Sequence, residues 1–118
     1  IQAFQSRIAS SSLLTKAAYA EISSTFENTQ GIRISYSATY QTFKQNKRSV
    51  ARLMIRNQTV CLALNLDPKQ YQHIRESFDD YSRHASFSSF PMVIRLDTMQ
   101  KIELAKRLIS DALIESEK

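Results

Sequence analysis

Glycine is nearly missing from this chain. Gly31 stands alone among 118 residues, beside two prolines, two histidines, one cysteine and no tryptophan. One glycine cannot build the glycine-rich loop that wraps a nucleotide's phosphates, and no Gly-x-Ser-x-Gly or His-Glu-x-x-His signature occurs. One cysteine excludes an intrachain disulfide framework, and Cys61 lies in an apolar run that suits a packed thiol better than a nucleophile. No apolar run reaches the roughly 18–20 residues of a membrane-spanning helix, and no charged start with an apolar core marks a leader. Acidic residues are also absent between Asn28 and Leu66, where Arg33, Lys44, Lys47, Arg48, Arg52 and Arg56 carry six positive charges. The net charge of +5 therefore belongs to this middle stretch, and the remainder sums to minus one. Such a surface attracts anionic partners or serves only solubility.

What is present reads as one α+β domain, 1–118, with 42% hydrophobic residues and enough length to bury a core unaided. Its first residue is Ile rather than Met, so it reads as a piece of a longer bacterial protein, expected to be cytoplasmic. The stretch from Arg48 to Pro68 organises the rest. Two runs rich in Val, Ile and Leu flank Asn57-Gln58, a hairpin turn in which Asn tolerates positive φ. Antiparallel register then pairs Ile55 with Val60, Leu53 with Leu62 and Ala51 with Leu64 on a core face. Arg56 with Thr59, Met54 with Cys61 and Arg52 with Ala63 fall on the other, where Arg48 and Val50 are also placed.

Upstream, Phe4 and Ile8 suggest a short helix over residues 1 to 10. Ser10, Ser11 and Ser12 offer caps to a second helix ending near Asn28, with a stripe of Leu14, Ala18, Ile22 and Phe26 beside Ala17. From Ile32 to Tyr40 apolar and polar residues alternate strictly, which predicts one strand with Ile32, Ile34, Tyr36, Ala38 and Tyr40 facing the core. A turn at 44–47 would then set Phe43 against Arg48, Thr39 against Arg52 and Ser35 against Arg56. Asp67-Pro68 ends the hairpin, and residues 69–90 are undecided between helical turns and a short strand. After Pro91, Met92, Ile94 and Leu96 share one strand face and Arg95 takes the other. Asp97 or Thr98 caps a last helix whose buried stripe is Ile102, Ala105, Leu108, Ile109, Ala112 and Leu113. The expected architecture is an antiparallel sheet of four to five strands with the N- and C-terminal helices packed on one face.

The order FQSRI, SYSATYQTFKQNKR, VARLMIRNQTVCLALNLDP, FDDYS…FP and IELAKRLISDAL resembles a group of small bacterial modules of unknown function, over nearly the whole chain. It is similar also to the C-terminal domain of predicted transport proteins and, more distantly, to the YdhG-like group, some members of which are described as iron chaperones. The hairpin turn of the group often reads Arg-Gly-Lys, whereas here it is Arg56-Asn57-Gln58, without the glycine or the second cation. The resemblance implies an α+β fold and brings no catalytic residues.

Three candidate sites follow. Arg33, Arg52, Arg56 and Arg95 project among Ser35, Ser37 and Thr39 on an open basic sheet face, with Lys47 and Arg48 in support; guanidinium forks beside hydroxyls suit phosphate. Tyr36 and Tyr40, on the core face, would leave no stacking platform for single-stranded nucleic acid. His73, Glu76, Asp79, Asp80 and His84 are ligand types for iron or zinc, at a spacing that matches no metal motif. Cys61 with His73 or His84 is the one nucleophile–base pair on offer. The reading that needs the least special chemistry is a non-catalytic binding module without a cofactor. It would contact a protein partner, or a second copy of itself, through its sheet edge or basic face, without membrane insertion. Nucleic-acid or polyanion binding is the alternative, and iron or zinc binding a further one.

Overall fold

The computed structural model describes Ile8 and residues 12–56 and 58–116. In chain order it comprises α1 (Leu13–Glu27), β1 (Ile32–Tyr36), β2 (Tyr40–Gln45), β3 (Arg48–Arg56) and β4 (Thr59–Leu64). A 3-10 segment (Pro68–Ser77), β5 (Asp79–Asp80), a single 3-10 turn (Ala85–Phe87), β6 (Met92–Arg95) and α2 (Met99–Ser116) complete it. The class is α+β as expected, with six antiparallel strands in the order β1-β2-β3-β4-β6-β5 rather than four or five. Both helices cover one face. Of the expected first helix only Ile8 is described; it is helical and buried in the helix-side core.

The β3–β4 hairpin forms in the register its alternation dictates, with Ile55 opposite Val60, Leu53 opposite Leu62 and Met54 opposite Cys61. Gln58 adopts the left-handed φ of 67° in its turn, while Asn57 lies outside the described residues. Upstream the expectation of one strand from Ile32 to Tyr40 is corrected to a hairpin of β1 and β2. The turn carries no Gly, Asn or Pro. Instead the Ser37 hydroxyl accepts the N–H groups of Thr39 (3.3 Å) and Tyr40 (3.2 Å), so a serine side chain does the bending. The pairing of β2 with β3 shifts accordingly: Phe43 lies opposite Ala51, Thr42 opposite Arg52 and Tyr40 opposite Met54.

A second correction concerns β3 itself. Phe43 pairs with Ala51 but Lys44 pairs with Ser49, which leaves Val50 as an extra, bulged residue. A bulge of one residue reverses the alternation on its far side. Val50 and Ala51 are thus both fully buried in the helix-side core, and Arg48 turns toward the helices, away from Arg52 and Arg56.

Ser12 caps α1, its hydroxyl accepting the Thr15 N–H at 3.2 Å. The buried stripe is Thr15, Ala18, Ile22 and Phe26, and Leu14 and Ala17 are exposed instead. A strict spacing of four drifts around a helix of 3.6 residues per turn, so entering the stripe at 15 keeps it on one face. There the Thr15 hydroxyl donates to the Gln58 carbonyl at 2.9 Å, pinning the helix start to the β3–β4 turn. Phe26 stacks on Phe43 of the sheet with ring centroids 4.1 Å apart. In α2, Thr98 is the cap, and Ile102, Ala105, Leu108, Ile109 and Ala112 are buried with Leu113 packed beside them. Lys106 of α2 reaches Glu21 of α1 at 3.0 Å. Among the described residues no helix is long and apolar enough to cross a membrane.

The opposite sheet face is also partly apolar. Met54, Cys61, Ala63 and Val93 form a second cluster there, roofed by Phe87 and Phe90 with Tyr40 and Tyr81 at its rim. The undecided stretch therefore serves both faces: Tyr71, Ile74 and Phe78 pack on the helix-side core, and the chain after β5, with the Ala85–Phe87 turn, carries Tyr81, Phe87 and Phe90 across the opposite face.

Candidate functional site

The basic face expected to lie open is in part a lined and roofed surface. Arg52 and Arg56 leave β3 two residues either side of Met54, so both emerge over the second cluster. The Arg52 guanidinium lies over the Tyr40 ring at 4.0 Å and under Phe90 at 4.8 Å. Its Nε is buried without a hydrogen-bond partner. Arg56 is exposed, but its guanidinium sits 5.1 Å from the Phe87 ring and 5.3 Å from Tyr81, and its Nη1 donates to the Tyr81 hydroxyl at 2.8 Å. A guanidinium is planar and weakly hydrated, so it packs against rings where an ammonium would stay in water. Tyr40 thus belongs to the arginine face, which corrects its placement in the core; the turn at Ser37 resets the alternation.

Arg95 is exposed on β6 opposite Cys61. With Arg56 it lines a pocket of about 180 Å³ whose remaining walls are Cys61, Asp79, Tyr81 and Val93. Burial pushes the Cys61 thiol up, an effect that Arg56 and Arg95 partly offset, and the thiol donates to the Thr59 carbonyl at 3.9 Å. A thiol held protonated is a poor nucleophile. Among the described residues Arg33, Arg52, Arg56 and Arg95 form no ion pair with a carboxylate.

The other expected binding residues lie elsewhere. Arg48 reaches the carbonyl of Glu115 at 3.5 Å, where a cation complements the C-terminal end of α2. It shares a cleft of about 440 Å³ with Asn65, Leu66, Asp67, Gln70, Tyr71 and Glu115. On one wall the Tyr71 hydroxyl donates to Asp111 at 2.9 Å, and burial with this carboxylate holds its pKa at about 12. Lys47 is exposed in the β2–β3 turn beside Asn46, whose φ is 57°.

The metal candidates are not brought together. Among the described residues no three His, Cys, Asp or Glu side chains converge where an ion could sit. His73 stacks near Tyr71 and His84 on Tyr81, with centroids 6.1 and 4.8 Å apart. Asp80 accepts the Ser82 hydroxyl and, at 2.9 Å, its N–H, bonds that hold the carboxyl below the usual range.

Arg33 marks a different feature, the edge of the sheet. β1 is the terminal strand, and among the described residues nothing pairs with its outer side. The Ser37 N–H donates to the Tyr40 carbonyl at 2.8 Å and the Asn46 N–H to the Gly31 carbonyl at 3.3 Å. In an antiparallel pair such bonds recur at every second residue. Residues 31, 33, 35 and 37 therefore direct their backbone groups inward to β2, and Ile32, Ile34 and Tyr36 direct theirs outward. Their side chains are half-buried on the helix side, whereas Arg33 is exposed on the other side directly opposite Lys44. The other edge, β5, is only two aspartates long.

Tyr40, Tyr81, Phe87 and Phe90 are the members of the arginine face that reading the sequence missed. For Tyr81, Phe87 and Phe90 the signal was three aromatic residues in a segment, 79–91, otherwise poor in apolar side chains. Comparison of the chain with protein-family models, with curated proteins and with solved structures returned no match.

Proposed function

We propose that this domain is a non-catalytic docking module that accepts an extended, acidic segment of a partner protein as an added strand along β1. The observation that carries the reading is the outward-facing backbone of Ile32, Ile34 and Tyr36 on an edge with no proline, no bulge of its own and, among the described residues, no strand on its outer side. Natural sheets usually blunt such an edge. The charge supplies the chemistry of the partner. Arg33 and Lys44 face each other across the β1–β2 ladder, and like charges in that position repel. An acidic side chain on an added strand beside Arg33 relieves that repulsion, while apolar neighbours of the same strand extend the row of Ile32, Ile34 and Tyr36.

Energetics set what such a segment must contain. Three outward residues offer six backbone hydrogen bonds, worth about 1 kcal/mol each net. Association costs roughly 4–15 kcal/mol, so backbone pairing alone does not hold a peptide and the acidic and apolar side chains must supply the surplus. Selection from a displayed library of random peptides tests this. Enriched sequences should alternate acidic and apolar residues, bind Ile34→Val as well as the parent, and lose binding to Ile34→Pro, which removes one outward N–H while leaving the β1–β2 ladder intact. Enrichment of basic or helix-patterned sequences, or indifference to the proline, overturns the reading.

A further inference from the structure

The far end of the sheet carries a second feature, independent of the β1 edge. The geometry points to the pocket between Arg56 and Arg95 as a binding site for one phosphate-class oxyanion, held by the two guanidinium groups and the Tyr81 hydroxyl.

The pocket is built by side chains from four strands and the roofing loop. Cys61 and Val93 are buried and form its floor, and Arg56, Arg95, Tyr81 and Asp79 stand around it. Arg56 is already ordered: Phe87 and Tyr81 hold the plane of its guanidinium, and one Nη1 hydrogen bond to Tyr81 fixes its rotation. A donor fork restrained before binding loses less entropy when it binds. Tyr81 accepts from Arg56, which leaves its own O–H proton to donate. Arg95 adds a second fork from β6, and neither arginine is neutralised by a carboxylate ion pair among the described residues. Among the described residues Asp79 is the one acidic group lining the pocket, so two positive charges face a single negative one within it, while Arg95 also borders a neighbouring cleft with Glu76, Asp97 and Lys101. At about 180 Å³ the space admits one tetrahedral oxyanion with a few waters and is below the range of drug-sized ligand pockets. The same phosphate chemistry reaches the pocket from a free phosphate or from a nucleic-acid backbone.

The test is a titration of the isotope-labelled domain with sodium phosphate at constant ionic strength, followed by backbone amide and arginine side-chain NMR signals. Saturable shifts confined to Arg56, Cys61, Tyr81, Val93 and Arg95 are expected. Arg95→Gln, at an exposed position that makes no cation–ring contact among the described residues, should abolish saturation with an otherwise unchanged spectrum. Arg56→Gln should do the same, and it also loosens the roof. Asp79→Asn should tighten binding several-fold, because it removes the opposing charge. Duplex DNA added to the phosphate complex distinguishes the source: displacement from these residues assigns the site to a nucleic-acid backbone, and no displacement assigns it to free or monoester phosphate. Shifts that stay linear in phosphate to about 50 mM, weaker than any useful site, or saturation that survives Arg95→Gln, overturn the proposal.

Discussion

If Arg52 is a packed component of the second cluster rather than a free cation, its energy must be coupled to the ring above it. A double-mutant cycle of Arg52→Met and Phe90→Leu measures that coupling. Methionine keeps the unbranched stem and removes the guanidinium; leucine keeps apolar volume and removes the ring face. Phe90 is 2% exposed, and a near-volume-conserving swap there should cost about 1.5 kcal/mol or less before any loss of the cation–ring contact. The contact itself, at 4.8 Å and partly desolvated, should add about 1 kcal/mol, within the range of roughly 0.5–2 kcal/mol for such pairs. Arg52→Met alone gives up the contacts to Tyr40 and Phe90 but also removes a buried Nε without a partner, a group that costs about 1–3 kcal/mol to leave unsatisfied. These terms oppose each other, so the single variant should be nearly neutral, and only the cycle isolates the contact. Urea unfolding followed by circular dichroism reads all four species. An interaction energy below about 0.3 kcal/mol, the usual error of additivity, would refute the packed arginine and restore the open basic face that composition alone suggests.

Three further outcomes follow from the geometry. Ser37→Ala removes the hydroxyl that accepts two N–H groups in the β1–β2 turn and should lower stability by about 1 kcal/mol in urea unfolding, with exchange at the β1 amides rising first. Tyr71 holds its proton to about pH 12 when folded against an ordinary value of 10, so it favours the folded state below pH 10 and that contribution is lost as pH rises from 10 to 12; Tyr71→Phe should flatten that part of a stability profile. Asp80 shifts the other way. Its folded carboxyl is held below the usual value by Ser82, so its contribution is present above about pH 4 and is lost as pH falls through the depressed value; Ser82→Ala should weaken that acid-side slope.

The parts of the fold that were legible were those where periodicity and register agree. Ile55, Leu53 and Ala51 find Val60, Leu62 and Leu64 because both runs alternate and a short turn leaves one pairing that buries them all. The α2 stripe was legible for the same reason. What escaped was set by single side chains. Ser37 ends β1 with a hydroxyl rather than a glycine or proline, and the period-two pattern runs straight through the turn into Tyr40. Val50 is apolar on either face, so nothing in its identity marked it as a bulge, yet it sends Arg48 to the end of α2 and separates it from Arg52 and Arg56. Of the candidate binding residues, Arg56 and Arg95 do meet at one pocket, Arg33 marks the open edge, and Arg52 is absorbed into packing. Residues 69–90 carry short 3-10 turns, whose bonds span three residues and leave no long period to read.

The claim that β1 is an open receiving edge is tested most directly by amide hydrogen exchange in the isolated domain, residue by residue along the strand. Slow exchange is expected at Arg33 and Ser35, whose N–H groups face β2, and fast exchange at Ile32, Ile34 and Tyr36, which become protected when an acidic extended peptide binds. An Ile34 amide as protected as that of Arg33 in the free domain would mean that the edge is already paired, and would contradict the account.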